Sequence, residues 1–192
     1  MRTIIYYLYA FLTDGASIIL MLLPIYLLAR MLYLTIHTKN RLEKTFRIDR
    51  ELICLAFFLF LTMLFTQTFI VNSGINEIKL IPFEVIIRQI TEVNDDIEGR
   101  QAFIFNIIGN IAIFVPVGFL ASAVFRKGLG KTILVCFFIS LFIEVFQIPL
   151  DRVTDVDDLI LNTTGAAIGC LIYNAIQKTG QRSSDGKKRR NG

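Results

Sequence analysis

The stretch Ser140–Gly169, SLFIEVFQIPLDRVTDVDDLILNTTGAAIG, decides how this chain folds. Glu144 and Gln147 stand near the end of one apolar run, and Asp151, Arg152 and Asp155 fill a charged turn. Asp157, Asp158 and Asn162 then stand at the head of the next apolar run. Two apolar runs joined by charge have the pattern of two membrane spans, and ionisable groups at or inside such spans are expensive and mark function. Spacing orders them further. Glu144 and Gln147 are three apart, and Asp155, Asp158, Asn162, Gly165 and Gly169 step by three or four, so each set shares one helix face. Gly165-x-x-x-Gly169 admits close approach of another helix, which turns the face carrying Asp158 and Asn162 into a bundle.

Composition carries the same reading to the whole chain. Its 192 residues are 54% hydrophobic and 19% charged, with a mean hydropathy of +0.60. A soluble domain carries about 25% charged and about 45–50% apolar residues, so an all-α, polytopic membrane bundle is expected. A net charge of +4 would point a soluble protein towards nucleic acid. Here the basic residues flank apolar runs with no aromatic-interleaved surface, so they set topology and nucleic acid is no partner. Cys54, Cys136 and Cys170 lie inside apolar runs as small packing residues and say nothing of redox compartment. His37 is the single histidine and lies at the end of a span beside a basic loop, on the side the charge count places inside, so a histidine dyad, a phosphatidic-acid-phosphatase-type site and a histidine-built zinc site are not expected.

Working outward, about five spans fit, over 16–36, 52–71, 102–125, 132–150 and 156–176. Residues 1–15 are expected to form a short interfacial segment, because Asp14-Gly15 interrupts the apolar pattern; a longer first helix starting near Ile4 is the alternative. No small-residue cleavage pattern follows, so no removed signal peptide is expected. Between the second and third spans lies the polar stretch Asn72–Arg100. Within it Ile86, Ile87 and Ile90 are spaced for a short surface helix after Pro82. The basic tail 177–192 is expected to be disordered and cytoplasmic.

Lysine and arginine counts orient the bundle. Segments 37–51, 126–131 and the tail together hold fourteen, and the opposite side holds five: Arg2, Lys79, Arg88, Arg100 and Arg152. The N-terminus is therefore expected outside and the C-terminus in the cytoplasm. That orientation gathers Asn106 and Asn110 of the third span, Glu144 and Gln147 of the fourth, and Asp157, Asp158 and Asn162 of the fifth at one membrane face. Helix capping accounts for one or two of Asp155, Asp157 and Asp158, and interhelical hydrogen bonding is a structural account of Asn106 and Asn110. Glu144, two turns inside a span, needs a proton or a partner. Burial would raise its pKa and an arginine such as Arg152 would lower it. Clustered carboxylates near phosphate-bearing lipid suit a Mg²⁺ or Ca²⁺ site, but the D-x-D-D run is too short to assign one, and the sequence leaves any cofactor unknown.

The KLIPF segment at 79–83, FNIIGNIAIFVPVGF at 105–119, SLFIEVFQ at 140–147 and R-x-x-D-x-D-D-x-x-x-N-x-x-G-x-x-x-G from Arg152 to Gly169 together resemble the VanZ-like family of teicoplanin-resistance-type proteins. The resemblance spans about residues 79–175, with a long insertion-like segment between Pro82 and Ala102. It implies a multi-pass protein of the bacterial cell membrane, with relatives that lower susceptibility to glycopeptides or lipoglycopeptides. It also implies action on head groups of membrane lipids or lipid-linked cell-wall precursors.

On these residues the expected activity is hydrolysis or transfer at an extracytoplasmic lipid or lipid-linked head group. Glu144 would be general acid or base, and Asp155, Asp157 and Asp158 would orient a metal or a hydroxyl nucleophile. Arg152 would hold a phosphate, and Asn106, Asn110, Gln147 and Asn162 would position substrate. A non-catalytic protein that binds or shields lipid or antibiotic is the alternative. A small transporter ranks below both, because the polar residues gather at one face and no inverted repeat is visible.

Overall fold

The structure is a computed structural model that describes the backbone of residues 2–37, 47–70, 78–84, 86–87, 97–150 and 153–190, and most of the side chains on it. The chain divides into two compact units, Met1–Ser73 and Gly74–Gly192. Among the described residues, four stretches are long and apolar enough to cross a membrane: Ala16–Ile36, Asn106–Phe125, Leu129–Leu150 and Val156–Gly180. The run at 52–71 lies on a further helix of 23 residues, and its final residue falls outside those described.

The first unit consists of α1 (Arg2–His37) and α2 (Ile48–Ile70). Asp14 and Gly15 do not break α1, which is one helix from Arg2 onward, in place of an interfacial segment that stops short of the span. A glycine inside a helix costs only about 1 kcal/mol relative to alanine, whereas a break would free several backbone groups. Pro24 removes one ladder hydrogen bond within α1. The helices run antiparallel. Arg30 meets Glu51, Tyr26 stacks on Phe58 with ring centroids 4.3 Å apart, and Ile18 and Leu22 share a cleft with Thr62 and Phe65. Arg30 donates through both Nε and Nη2 to the two Glu51 oxygens, at 2.6 and 2.8 Å. This fork neutralises an arginine inside an apolar run. Thr66 donates its hydroxyl to the Thr62 carbonyl at 2.7 Å, so a polar group in an apolar helix finds its partner on its own helix.

In the second unit, α3 (Ile97–Phe125) and α4 (Leu129–Gln147) are joined by the turn Arg126–Gly128, with Arg126 at φ 51°. A 3₁₀ turn (Ile148–Leu150) follows α4. Then β2 (Thr154–Asp155) leads into α5 (Val156–Arg190) and pairs in parallel with β1 (Ile78–Lys79), Ile78 opposite Thr154 and Lys79 opposite Asp155.

Helix α5 packs against both α3 and α4. Its contact with α3 is backbone on backbone. A side chain added at Gly165 would collide with the Ile111 carbonyl, at Gly169 with the Val115 carbonyl, and at Gly118 with that of Ala166. Small residues on both helices make this possible, since Ala121, Ala166 and Cys170 are fully buried in the seam. Ser122 and Cys170 both donate to the Gly118 carbonyl, at 2.8 and 3.3 Å. Helix α4 buries Thr132, Cys136, Ser140, Ile143, Glu144 and Gln147, a stripe with helical spacing.

The far end of α5 departs from expectation, because the helix continues to Arg190 through residues whose composition predicts disorder. Extending an existing helix carries no nucleation cost, and lysine, arginine and glutamine are good helix formers.

Candidate functional site at the head of helix α5

The four candidate carboxylates face different partners. Asp155 caps α5: its Oδ1 accepts the Asp157 backbone N–H at 2.9 Å, two positions into the helix. Burial pushes the Asp155 carboxyl above its ordinary pKa, and the nearby Asp157 and Glu84 charges add to this. The backbone hydrogen bond from Asp157 and the charge of Lys79 oppose it. Asp157, 2% exposed, reaches away from the capping position to the segment after β1. It accepts the Phe83 N–H at 2.5 Å on Oδ1 and the Ile86 N–H at 3.4 Å on Oδ2. Phe83 is held there at φ 65°, a left-handed conformation that costs a bulky residue about 1–3 kcal/mol. The two bonds from one carboxylate help to offset that strain.

Asp158 is half-buried and accepts the Asn110 Nδ2–H at 2.5 Å. Asn110 also leans towards the exposed Asn106, whose Oδ1 is 3.5 Å away. The polar residues of α3 and α5 therefore lie at one level, one helical turn apart on α3. Glu144 is 5% exposed. Its Oε2 accepts the Asp155 N–H at 3.3 Å, and its own carbonyl accepts the Thr154 hydroxyl at 3.3 Å, so α4 holds β2 at both side chain and backbone. One turn along, Asn162 donates to the fully buried Ser140 at 3.0 Å. The Asn162 Oδ1 is buried with no hydrogen-bond partner among the described residues. Gln147 is buried on the Glu144 face of α4. Arg152, expected to hold phosphate, lies outside the described residues, as does Ile90.

The structure thus brings Asn106, Asn110, Glu144, Asp155, Asp157, Asp158 and Asn162 to one end of three helices, in two layers. Glu144, Asp155, Asp157 and Asn162 are buried, and Asp158, Asn110 and Asn106 are reachable from outside. Among the described residues, no group of three His, Cys, Asp or Glu side chains gathers as a metal-holding set. Two contributors escaped the reading of the sequence. Ser140 carried a signal, since it precedes Glu144 by four residues on the same face. Lys79 carried none, because its place opposite Asp155 depends on pairing strands far apart in the chain.

Comparison with known proteins agrees with the sequence motifs. A family model described as VanZ/LLP1 matches residues 50–177. No curated protein matches the chain. No solved structure matches it either. The matched region contains every candidate site residue and most of the chain, and the protein is a member of the VanZ/LLP1 family.

Proposed function

We propose that this protein acts at the extracytoplasmic face of the bacterial cell membrane, on the head group of a lipid or lipid-linked cell-envelope precursor, and contributes to glycopeptide or lipoglycopeptide (teicoplanin-type) resistance. In this reading five spans cross the bilayer, with the N-terminus outside and the C-terminus in the cytoplasm. The observation that carries it is the half-buried Asp158, oriented by Asn110, above a buried Glu144 at the ends of apolar helices. Asp158 and the two asparagines would meet the head group. Glu144, buried at 5% exposure, would exchange a proton with the reacting oxygen as general acid or base, in hydrolysis or transfer at a phosphate-bearing group. Asp155 and Asp157 would hold the frame.

The test is comparative lipid and cell-wall-precursor analysis, with teicoplanin susceptibility, in cells carrying the wild type, Glu144→Gln, Asp158→Asn or no gene. Both variants are expected to insert normally and to match the deletion. If they insert normally and keep the wild-type lipid profile and susceptibility, the catalytic reading is wrong.

A second reading has a specific observation in its favour. Asp155 and Asp157 spend their oxygens on backbone N–H groups, as carboxylates of a purely structural network would. In that reading the protein binds or shields a lipid or antibiotic without chemistry. Wild-type protein would then bind the amphiphile without changing it, and Asp158→Asn would weaken binding with no product lost.

A further inference from the structure

The segment that begins with β1 and runs on towards α3 exposes large apolar side chains in close succession: Ile78 at 51%, Leu80 at 71%, Ile81 at 63%, Phe83 at 49% and Ile87 at 59%. Such a row is unusual on a surface that meets water. Its backbone is unusual in the same sense. The Phe83 and Ile86 N–H groups go to Asp157, the Glu84 N–H to the Ile81 carbonyl at 3.3 Å and the Ile87 N–H to the Phe83 carbonyl at 2.8 Å. Pro82 has no N–H. From 82 to 87, every described backbone donor is satisfied within the protein, which a loop in water does not require and a loop among lipids does.

The position of this segment is fixed by its anchors. Asp157 is the second residue of α5, whose apolar stretch begins at Val156, and β1 pairs with the two residues just before that helix. The loop therefore stands level with the ends of the membrane-crossing stretches. Lys79 at its start and the exposed Glu84 within it set a shallow depth, because both charges need water or head groups within reach.

We propose that residues 78–87 form a preorganised wedge seated in the bilayer at the boundary between head groups and acyl chains, with lipid covering Leu80, Ile81 and Phe83. The wedge and the candidate site are adjacent. Asp157 holds the loop, and the next residue, Asp158, faces Asn110. A substrate would then reach Asp158 sideways from the same leaflet, as an amphiphile whose tail stays among the lipids. That last step rests on the proposed role of Asp158; the wedge does not.

The chain contains no tryptophan, so one introduced residue reports alone. Leu80→Trp and Ile81→Trp proteins in vesicles of phosphatidylcholine with phosphatidylglycerol are expected to emit in the blue. Lipids brominated near the head-group end of the acyl chain should quench most of the fluorescence, and aqueous iodide little of it. Strong iodide quenching without bromolipid quenching would place the loop in water and overturn the proposal. Protection from both quenchers would show that protein covers the loop, which overturns it equally. If tryptophan disturbs folding, Leu80→Cys labelled with bimane gives the same readout. The quenching pattern is independent of activity. A lipid-buried wedge together with an active Asp158→Asn protein would reject the enzyme reading and keep the wedge.

Discussion

Asp157 and Asp158 are neighbours in different settings, one buried against the loop and the other half-buried and reachable, and substitution should separate them. An asparagine at 157 offers one acceptor oxygen where two are used, and sets an NH₂ group against a backbone N–H. Losing such a buried bond costs about 1–3 kcal/mol, so Asp157→Asn is expected to lose that much stability. It should also speed hydrogen exchange at the Phe83 and Ile86 amides. Asp158→Asn keeps an acceptor for Asn110, so its stability should be near wild type while the lipid phenotype is lost. Asp155 gives a pH dependence whose sign is fixed. Its carboxyl is raised in the folded protein, chiefly by burial, with Asp157 and Glu84 adding to the rise and Lys79 opposing it. The protonated form therefore favours folding: the contribution is fully present below the unfolded carboxyl pKa and is lost as pH rises through the raised folded value. Thermal unfolding in detergent should show stability falling with rising pH across that window. Asp155→Asn should flatten the fall, since an amide oxygen can still cap Asp157. The cap itself was legible, because an aspartate immediately ahead of an apolar helical run is a local signal. The loop-holding role of Asp157 was not, because its partners lie 74 and 71 positions away in the chain.

Among the helices, the seam between α3 and α5 is the contact least tolerant of change. The obstacle at Gly165, Gly169 and Gly118 is backbone, which cannot rotate aside as a side chain would. Gly165→Ala and Gly169→Ala should therefore each lower stability by about 1–3 kcal/mol through overpacking. Gly109→Ala meets nothing within 4 Å and should be neutral, or more stable by up to about 1 kcal/mol from helix propensity. Unfolding of the three variants in one detergent checks the contrast. The apolar helices among the described residues and the face carrying Gly165 and Gly169 could be read from the sequence, because apolar length and three-to-four spacing are local. The partner helix could not: the complement on α3 is a backbone ridge at Ile111 and Val115, and neither residue type advertises that. The same limit hid the split of the carboxylates. Their clustering followed from helix order, but which were buried and which reachable depended on a short parallel strand pair and on the loop that Asp157 holds.

Across the whole molecule, the imbalance of fourteen basic residues against five is the physical basis for an orientation, and orientation decides which compartment the Asp158 site faces. Labelling with a membrane-impermeant maleimide can test it on the intact chain. The native thiols are poor targets, since Cys136 and Cys170 are fully buried and Cys54 lies within the apolar helix α2. Glu84 is exposed on the loop that joins the site to β1, so a thiol there reports the site's own side. In intact cells, Glu84→Cys is expected to react without permeabilisation, and a cysteine at Ser183 only after it. A fluorescent-protein fusion after Gly192 should accordingly mature as a cytoplasmic protein does. The reverse pattern would put Asp158 and Glu144 on the cytoplasmic face. On the proposed function, the two labelling results therefore decide whether the Asp158 site meets an extracellular target or acts from the cytoplasmic side on a lipid-linked precursor.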